Sequence, residues 1–207
     1  MMDMIDDRCL EFIGSKTQEL LRHGVTVYLS NKDNINKRYG GTFCGRTRKL
    51  SVAMDNGIRS FYDFLHEYSH FLQWKDRRLF WNTHIQETSN FINWATTAGL
   101  GIFNLTPAEI EKAVTGAIAL EHDCESTAIA LISSFQLPIS VEAYSRQANA
   151  NLLYYQWGRK HRQWAGSGPP LDEQDFIPHL PPSLPSLNFF LEKQHYMKYI
   201  KILDKQS

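Results

Sequence analysis

Residues 58–75 read Ile-Arg-Ser-Phe-Tyr-Asp-Phe-Leu-His-Glu-Tyr-Ser-His-Phe-Leu-Gln-Trp-Lys. Phe61, Leu65, Tyr68 and Leu72 recur at helical spacing, Phe64 and Phe71 form a second apolar flank, and no Gly or Pro interrupts the run. This periodicity predicts an amphipathic helix. Inside it lies the string His66-Glu67-Tyr68-Ser69-His70, an H-E-x-x-H motif. Residues four apart on a helix share a face with Cβ atoms roughly 5–6 Å apart, so His66 and His70 can aim ring nitrogens at one zinc ion. Glu67 then stands beside them, placed to take a proton from a metal-bound water and return it to a leaving amine. The string alone arises by chance; its helical context carries the reading.

Upstream, residues 5–23 predict a helix with apolar points at Ile5, Cys9, Phe12, Leu20 and Leu21, closed by Gly24. Three short strands follow, at Val25–Leu29, at Thr42–Cys44 after Gly40-Gly41, and at Lys49–Ala53. The fold class expected is therefore α+β: a mostly helical, zincin-like domain with a small β-sheet packed beside the H-E-x-x-H helix. The last strand is expected to present an open edge over the metal, to which an extended peptide can add by main-chain hydrogen bonds.

Downstream, residues 76–93 show no clean period. Thr106-Pro107-Ala108-Glu109 is a helix start, with Thr106 as N-cap, Pro107 at the first helical position and Glu109 completing a capping box. That helix is expected to run to Phe135 and stop before Leu137-Pro138. Another spans 140–164. Residues 166–186 carry eight of the Pro and Gly positions in succession, from Gly166 to Pro185, and read as an extended connector outside the core. A last helix is expected over 187–203. The organisation predicted is one domain over 1–165, a connector over 166–186, and a C-terminal helix over 187–207 packing on the same domain.

A peptidase zinc takes three protein ligands and keeps a position for water. The residue six after the second His is Asp76, but the chain has Gln73 where a turn-permitting Gly would be needed, and a helix continued through Trp74 points Asp76 away. His84 is a second option, in an irregular stretch. In the helix opened by Thr106, an apolar stripe through Val114, Ala117, Ile118, Cys124, Ala128, Leu131, Ile132 and Phe135 is interrupted by Glu121 and Glu125. Either both carboxylates reach solvent at the stripe's edge, or Glu121 is a ligand with Glu125, one turn on, holding a ligand histidine.

Leu65 to His70, Leu120-Glu121-His122-Asp123-Cys124-Glu125, Ala128 and Leu137-Pro138 together resemble the ImmA/IrrE family of zinc metallopeptidases, whose members abound in phages and mobile elements. The resemblance covers roughly residues 25 to 140 and is concentrated in the two motifs. It implies His66, His70 and Glu121 as zinc ligands, Glu67 as general base, and an intracellular protein or peptide substrate. Ser69 stands where that family usually has Gly, and the long gap from His70 to Glu121 implies an inserted segment.

Lys plus Arg and Asp plus Glu number 22 each in 207 residues, so no global field recruits nucleic acid or an anionic membrane. Two basic clusters exist, over residues 31–50 and at Arg159, Lys160 and Arg162, and such clusters are usually solvated faces. Cys9, Cys44 and Cys124 are odd in number and widely spaced, which suits a reducing compartment. With no secretory signal at Met1 to Arg8 and no eighteen-residue apolar run, the expectation is a cytoplasmic protein of the producing or infected cell, without membrane partners. Tyr154, Tyr155 and His161 are candidate oxyanion donors. The rival expectations are an inactive zinc-binding regulatory protein on the same scaffold, and a nucleic-acid-associated factor using the basic 31–50 stretch.

Overall fold

The computed structural model describes residues 5–31, 40–98, 100–164 and 176–205. It is mostly helical with one three-stranded sheet, the α+β class expected. The chain divides into two compact units, one formed by residues 1–78 and 127–140, the other by 79–126 and 141–207.

In the first unit, α1 (Asp7–Arg22) leads into β1 (Thr26–Ser30), β2 (Gly41–Cys44), β3 (Lys49–Ala53) and α2 (Ile58–Asp76). Asp6 caps α1 by accepting from the Arg8 amide at 2.9 Å. The sheet order is β1-β3-β2, with β1 parallel to β3 and β2 antiparallel to it. This corrects the expected open edge of the last strand. The tight connection at 45–48 lays β2 on one side of β3 and β1 pairs on the other, so both sides of β3 are used and the sheet edges are β1 and β2.

Helix α2 packs on β2 and β3. Phe43 meets Phe71 at 6.1 Å and Trp74 at 6.0 Å between ring centroids, over fully buried Leu50 and Val52. Its other flank meets α1 through Phe12 and Phe61, 6.0 Å apart. Each such buried aromatic contributes on the order of 1.5–3 kcal/mol. Phe135 closes this core against Phe12 at 5.1 Å, and the Arg8 guanidinium donates to the Gln136 carbonyl.

The second unit holds α3 (Arg78–Thr96) from Leu79 onward, the first five turns of α4 (Pro107–Ser134), α5 (Val141–His161), a short 3-10 turn at Ile177–His179, α6 (Leu187–Leu191) and α7 (Lys193–Leu203). The Thr106 capping box forms as expected: the Thr106 amide donates to Glu109 Oε2 at 2.8 Å and the Glu109 amide to Thr106 Oγ1 at 3.3 Å. The stretch without a clean period is α3. Its buried positions, Trp81, Thr88, Phe91, Trp94 and Ala95, include a polar residue and leave a gap of seven, which blurs the apolar stripe. Gly116 on α4 lets α3 come close, since a Cβ there would lie 1.7 Å from Glu87 Oε2.

Residues 166–175 of the expected connector lie outside the described residues. The remainder is core: Phe176 is fully buried and Leu180 nearly so. Side chains of α5 hold its backbone, Arg146 donating to Pro178 O at 2.6 Å and Asn149 Nδ2 to Pro181 O and Ser183 O at 2.9 and 3.0 Å. A proline-rich segment has few amides to offer, so its carbonyls are what a helix can grip. The expected C-terminal helix is broken at Glu192, which is extended at φ −86, ψ 115. Among the described residues, no helix is long and apolar enough to cross a membrane.

Tyr68 ties α2 to α1, its hydroxyl donating to Glu19 Oε2 at 2.7 Å, while Lys75 reaches Glu19 Oε1 at 3.3 Å. Burial works to raise the Glu19 carboxyl, but the Tyr68 hydroxyl and the Lys75 and Lys16 ammonium groups outweigh it and hold the carboxyl below its ordinary value. A carboxylate depressed in the folded state stabilises fully above the unfolded pKa, about 4.3, and that stability is lost as pH falls through the folded value. Tyr68→Phe is therefore expected to cost about 1.5–3 kcal/mol at neutral pH and to flatten the decline of stability with acid, as measured by urea unfolding at about pH 7 and at stepped lower values. An unchanged acid limb would disconnect Glu19 from the clasp.

Candidate metal centre

Helix α2 runs uninterrupted through its H-E-x-x-H turn. The rings of His66 and His70 lie 4.6 Å apart between centroids at 87°, edge to face on one side of the helix. Glu67 and His70 are each only 7% exposed. Ser69 at the motif's fourth position turns its hydroxyl back to Leu65 O at 2.8 Å, so the small polar side chain is satisfied within the helix and tolerated in the core.

His70 Nδ1 lies 2.8 Å from Gln73 Oε1, and Gln73 is 1% exposed. An amide oxygen only accepts, so the ring proton belongs on Nδ1 and Nε2 is the unprotonated nitrogen, the form a metal ligand needs. Gln73 thus acts on the motif from one turn away. Sequence reading treated it only as a missing Gly, although its spacing of three from His70 was the available signal.

The edge strand β2 begins against Glu67. A Cβ on Gly41 would lie 2.7 Å from Glu67 Cγ, and one on Gly40 would lie 1.9 Å from Asp63 Oδ2. The Gly-Gly pair that signalled a strand start is what lets backbone approach the acidic face of α2. A side chain at either position would have to displace the Asp63 or Glu67 side chain.

On α4, Cys124 is fully buried and Glu125 is 2% exposed, so the reading with both carboxylates in solvent fails for Glu125. Two tyrosines of α5 address the two acids. Tyr155 donates to Glu121 Oε1 at 3.2 Å and Tyr144 to Glu125 Oε2 at 2.7 Å.

His66, His70 and Cys124 offer ligand atoms that all lie within 4.8 Å of one another, and this group can hold a metal ion. In the sequence Cys124 stands in the apolar stripe and in the Leu120–Glu125 run, not among the expected ligands; its place three residues after Glu121 is the signal. Glu121 is not in that group. Asp76 ends α2 exposed, 3.7 Å from Lys75, and His84 Nδ1 pairs with Glu87 Oε2 at 3.0 Å; neither belongs to it. Of the candidate oxyanion donors, Tyr155 is committed to Glu121, Tyr154 stacks on Trp157 at 5.4 Å with its hydroxyl pKa raised by burial, and His161 pairs with Asp204 at 2.7 Å. No family model, no curated protein and no solved structure matches this chain.

Gln73→Leu keeps volume but removes the acceptor that fixes the His70 ring. Affinity for zinc, measured by competition with a chromophoric chelator, is expected to fall roughly 10–100-fold with helical content unchanged. Equal affinity in the variant would remove Gln73 from the centre.

Proposed function

We propose that the chain is a zinc-dependent peptidase related to the ImmA/IrrE family, cleaving an intracellular protein. The observation that carries the proposal is the pairing of the His66 and His70 rings beside buried Glu67 on a single uninterrupted helix. Imidazole donors suit zinc and argue against calcium or magnesium, which take oxygen. On this reading His66 and His70 hold the ion and Glu121 of α4 completes the set, its Oε1 oriented by the Tyr155 hydroxyl. Zinc when bound supplies Lewis acidity and a water of lowered pKa. Glu67 accepts the proton released in attack on the scissile carbonyl and passes it to the departing amine. The edge of β2, whose backbone starts at Glu67, offers main-chain donors and acceptors to an extended peptide.

A second reading rests on Cys124. If thiolate and carboxylate both bind, two histidines, Glu121 and Cys124 make a closed four-ligand site, which is structural, and the protein is then a zinc-dependent regulatory or interaction module.

Three variants separate the readings. For the peptidase, Glu67→Gln is expected to retain about one zinc per chain and to lose a protein cleavage seen as a single new terminus in cells expressing the wild type. Glu121→Ala is expected to lose most zinc affinity, and Cys124→Ala to keep both zinc and cleavage. Loss of zinc in Cys124→Ala with no cleavage by the wild type establishes the closed site instead.

A further inference from the structure

The first unit carries an unneutralised basic turn whose geometry the peptidase reading does not use. Residues 45–48 connect β2 to β3 and, with Lys49, project Arg46, Arg48 and Lys49 into solvent. Trp74 of α2 lies beneath this turn because residue 45 is Gly; a Cβ there would come within 2.4 Å of the indole Cδ1. Two guanidinium groups share that indole, Arg48 at 5.9 Å and Arg78 at 4.7 Å from its ring centroid. Arg48 is held at φ 49, a left-handed conformation costly for a residue with a Cβ. Among the described residues, none of Arg46, Arg48, Lys49 and Arg78 has a carboxylate within 4.0 Å, and the nearby Asp76 faces Lys75. The other basic cluster of the chain behaves oppositely. Arg159 pairs with Glu111, Lys160 and His161 with Asp204, and Arg162 donates to the Trp94 and Phe103 carbonyls. There the cations are absorbed by the fold; at the 45–48 turn they are presented.

We propose that this turn, with Arg78 and Trp74, is a binding surface for the backbone of single-stranded nucleic acid. Guanidinium groups match phosphate oxygens by paired hydrogen bonds. Those seated on the half-buried Trp74 indole are held in place to present positive charge along a backbone, one of the two elements of strand binding without sequence preference, the other being an aromatic surface for a base. Lys49 over the half-exposed Tyr28, 4.2 Å from its centroid, adds a second cation and aromatic pair on the adjoining strands.

The test is fluorescence anisotropy of a labelled twenty-nucleotide oligothymidine with the full chain, titrated over a series of salt concentrations. Binding is expected to weaken with salt, with a slope of log K on log salt near −0.7 per phosphate contacted. The double variant Arg48→Gln/Arg78→Gln, at exposed positions, is expected to keep the wild-type circular dichroism spectrum, to bind at least roughly tenfold more weakly and to flatten the slope by about 0.7 per arginine removed. Arg159→Gln, whose guanidinium is already paired, is expected to bind as wild type. Absence of oligonucleotide binding at low salt, equal binding by the double variant, or capture by phosphatidylserine vesicles without oligonucleotide binding would each overturn the assignment. None of these readouts depends on proteolysis, so this surface and the peptidase reading stand or fall separately.

Discussion

The contact on which the candidate centre depends is the approach of the β2 backbone to the face of α2 that carries Asp63 and Glu67. Gly40 and Gly41 leave no side chain between strand and helix. Glu67, beside Gly41 at the start of edge strand β2, is buried there. The approach also sets the sheet's distance for the rest of α2, where Phe43 inserts beside Phe71 and Trp74. A helix with two wide apolar flanks can be buried in several rotations. The glycine contact, together with the Tyr68 to Glu19 bond on the opposite flank, selects one. With that rotation fixed, the two imidazoles and Gln73 fall on a single side.

In the second unit the comparable constraint is the cost of acids inside a helical core. A buried carboxylate without donors is expensive, and α5 meets that cost with two hydroxyls at well-separated positions, Tyr144 for Glu125 and Tyr155 for Glu121. The same helix supplies amide and guanidinium donors to the carbonyls of residues 178–190. Helix α5 is thus polar along its buried faces because its neighbours are acids and proline-rich backbone. Its weak apolar period follows from that, although it is one of the most buried elements of the chain.

What the sequence made legible was local. Lys49–Ala53 is the strand expected from its alternation, the Thr106 capping box forms, and the H-E-x-x-H stretch is a helix from Ile58 onward. What escaped it required distant partners. The central place of β3 depends on β1 pairing in parallel from across the intervening hairpin, and no local pattern encodes strand order. Phe176 and Leu180 looked like connector residues because proline masked them, and the break at Glu192 lies in a stretch whose composition is helical on both sides. Within the centre, the two histidines and Glu67 were visible as a motif. Gln73 and Cys124 were not, because an amide and a thiol on an amphipathic helix are ordinary core residues until the packing gives them neighbours.

The identity of the donor from α4 bears on chemistry through charge as much as through geometry. Two neutral imidazoles and one carboxylate leave a divalent ion with a net positive charge, which is what lowers the pKa of a bound water. A thiolate in addition cancels that charge and fills the fourth position. The Tyr155 hydroxyl, donating to Glu121 Oε1 at 3.2 Å, fixes how that carboxylate is oriented. Cys124 is fully buried, so its volume belongs to the packing of α4 under either arrangement.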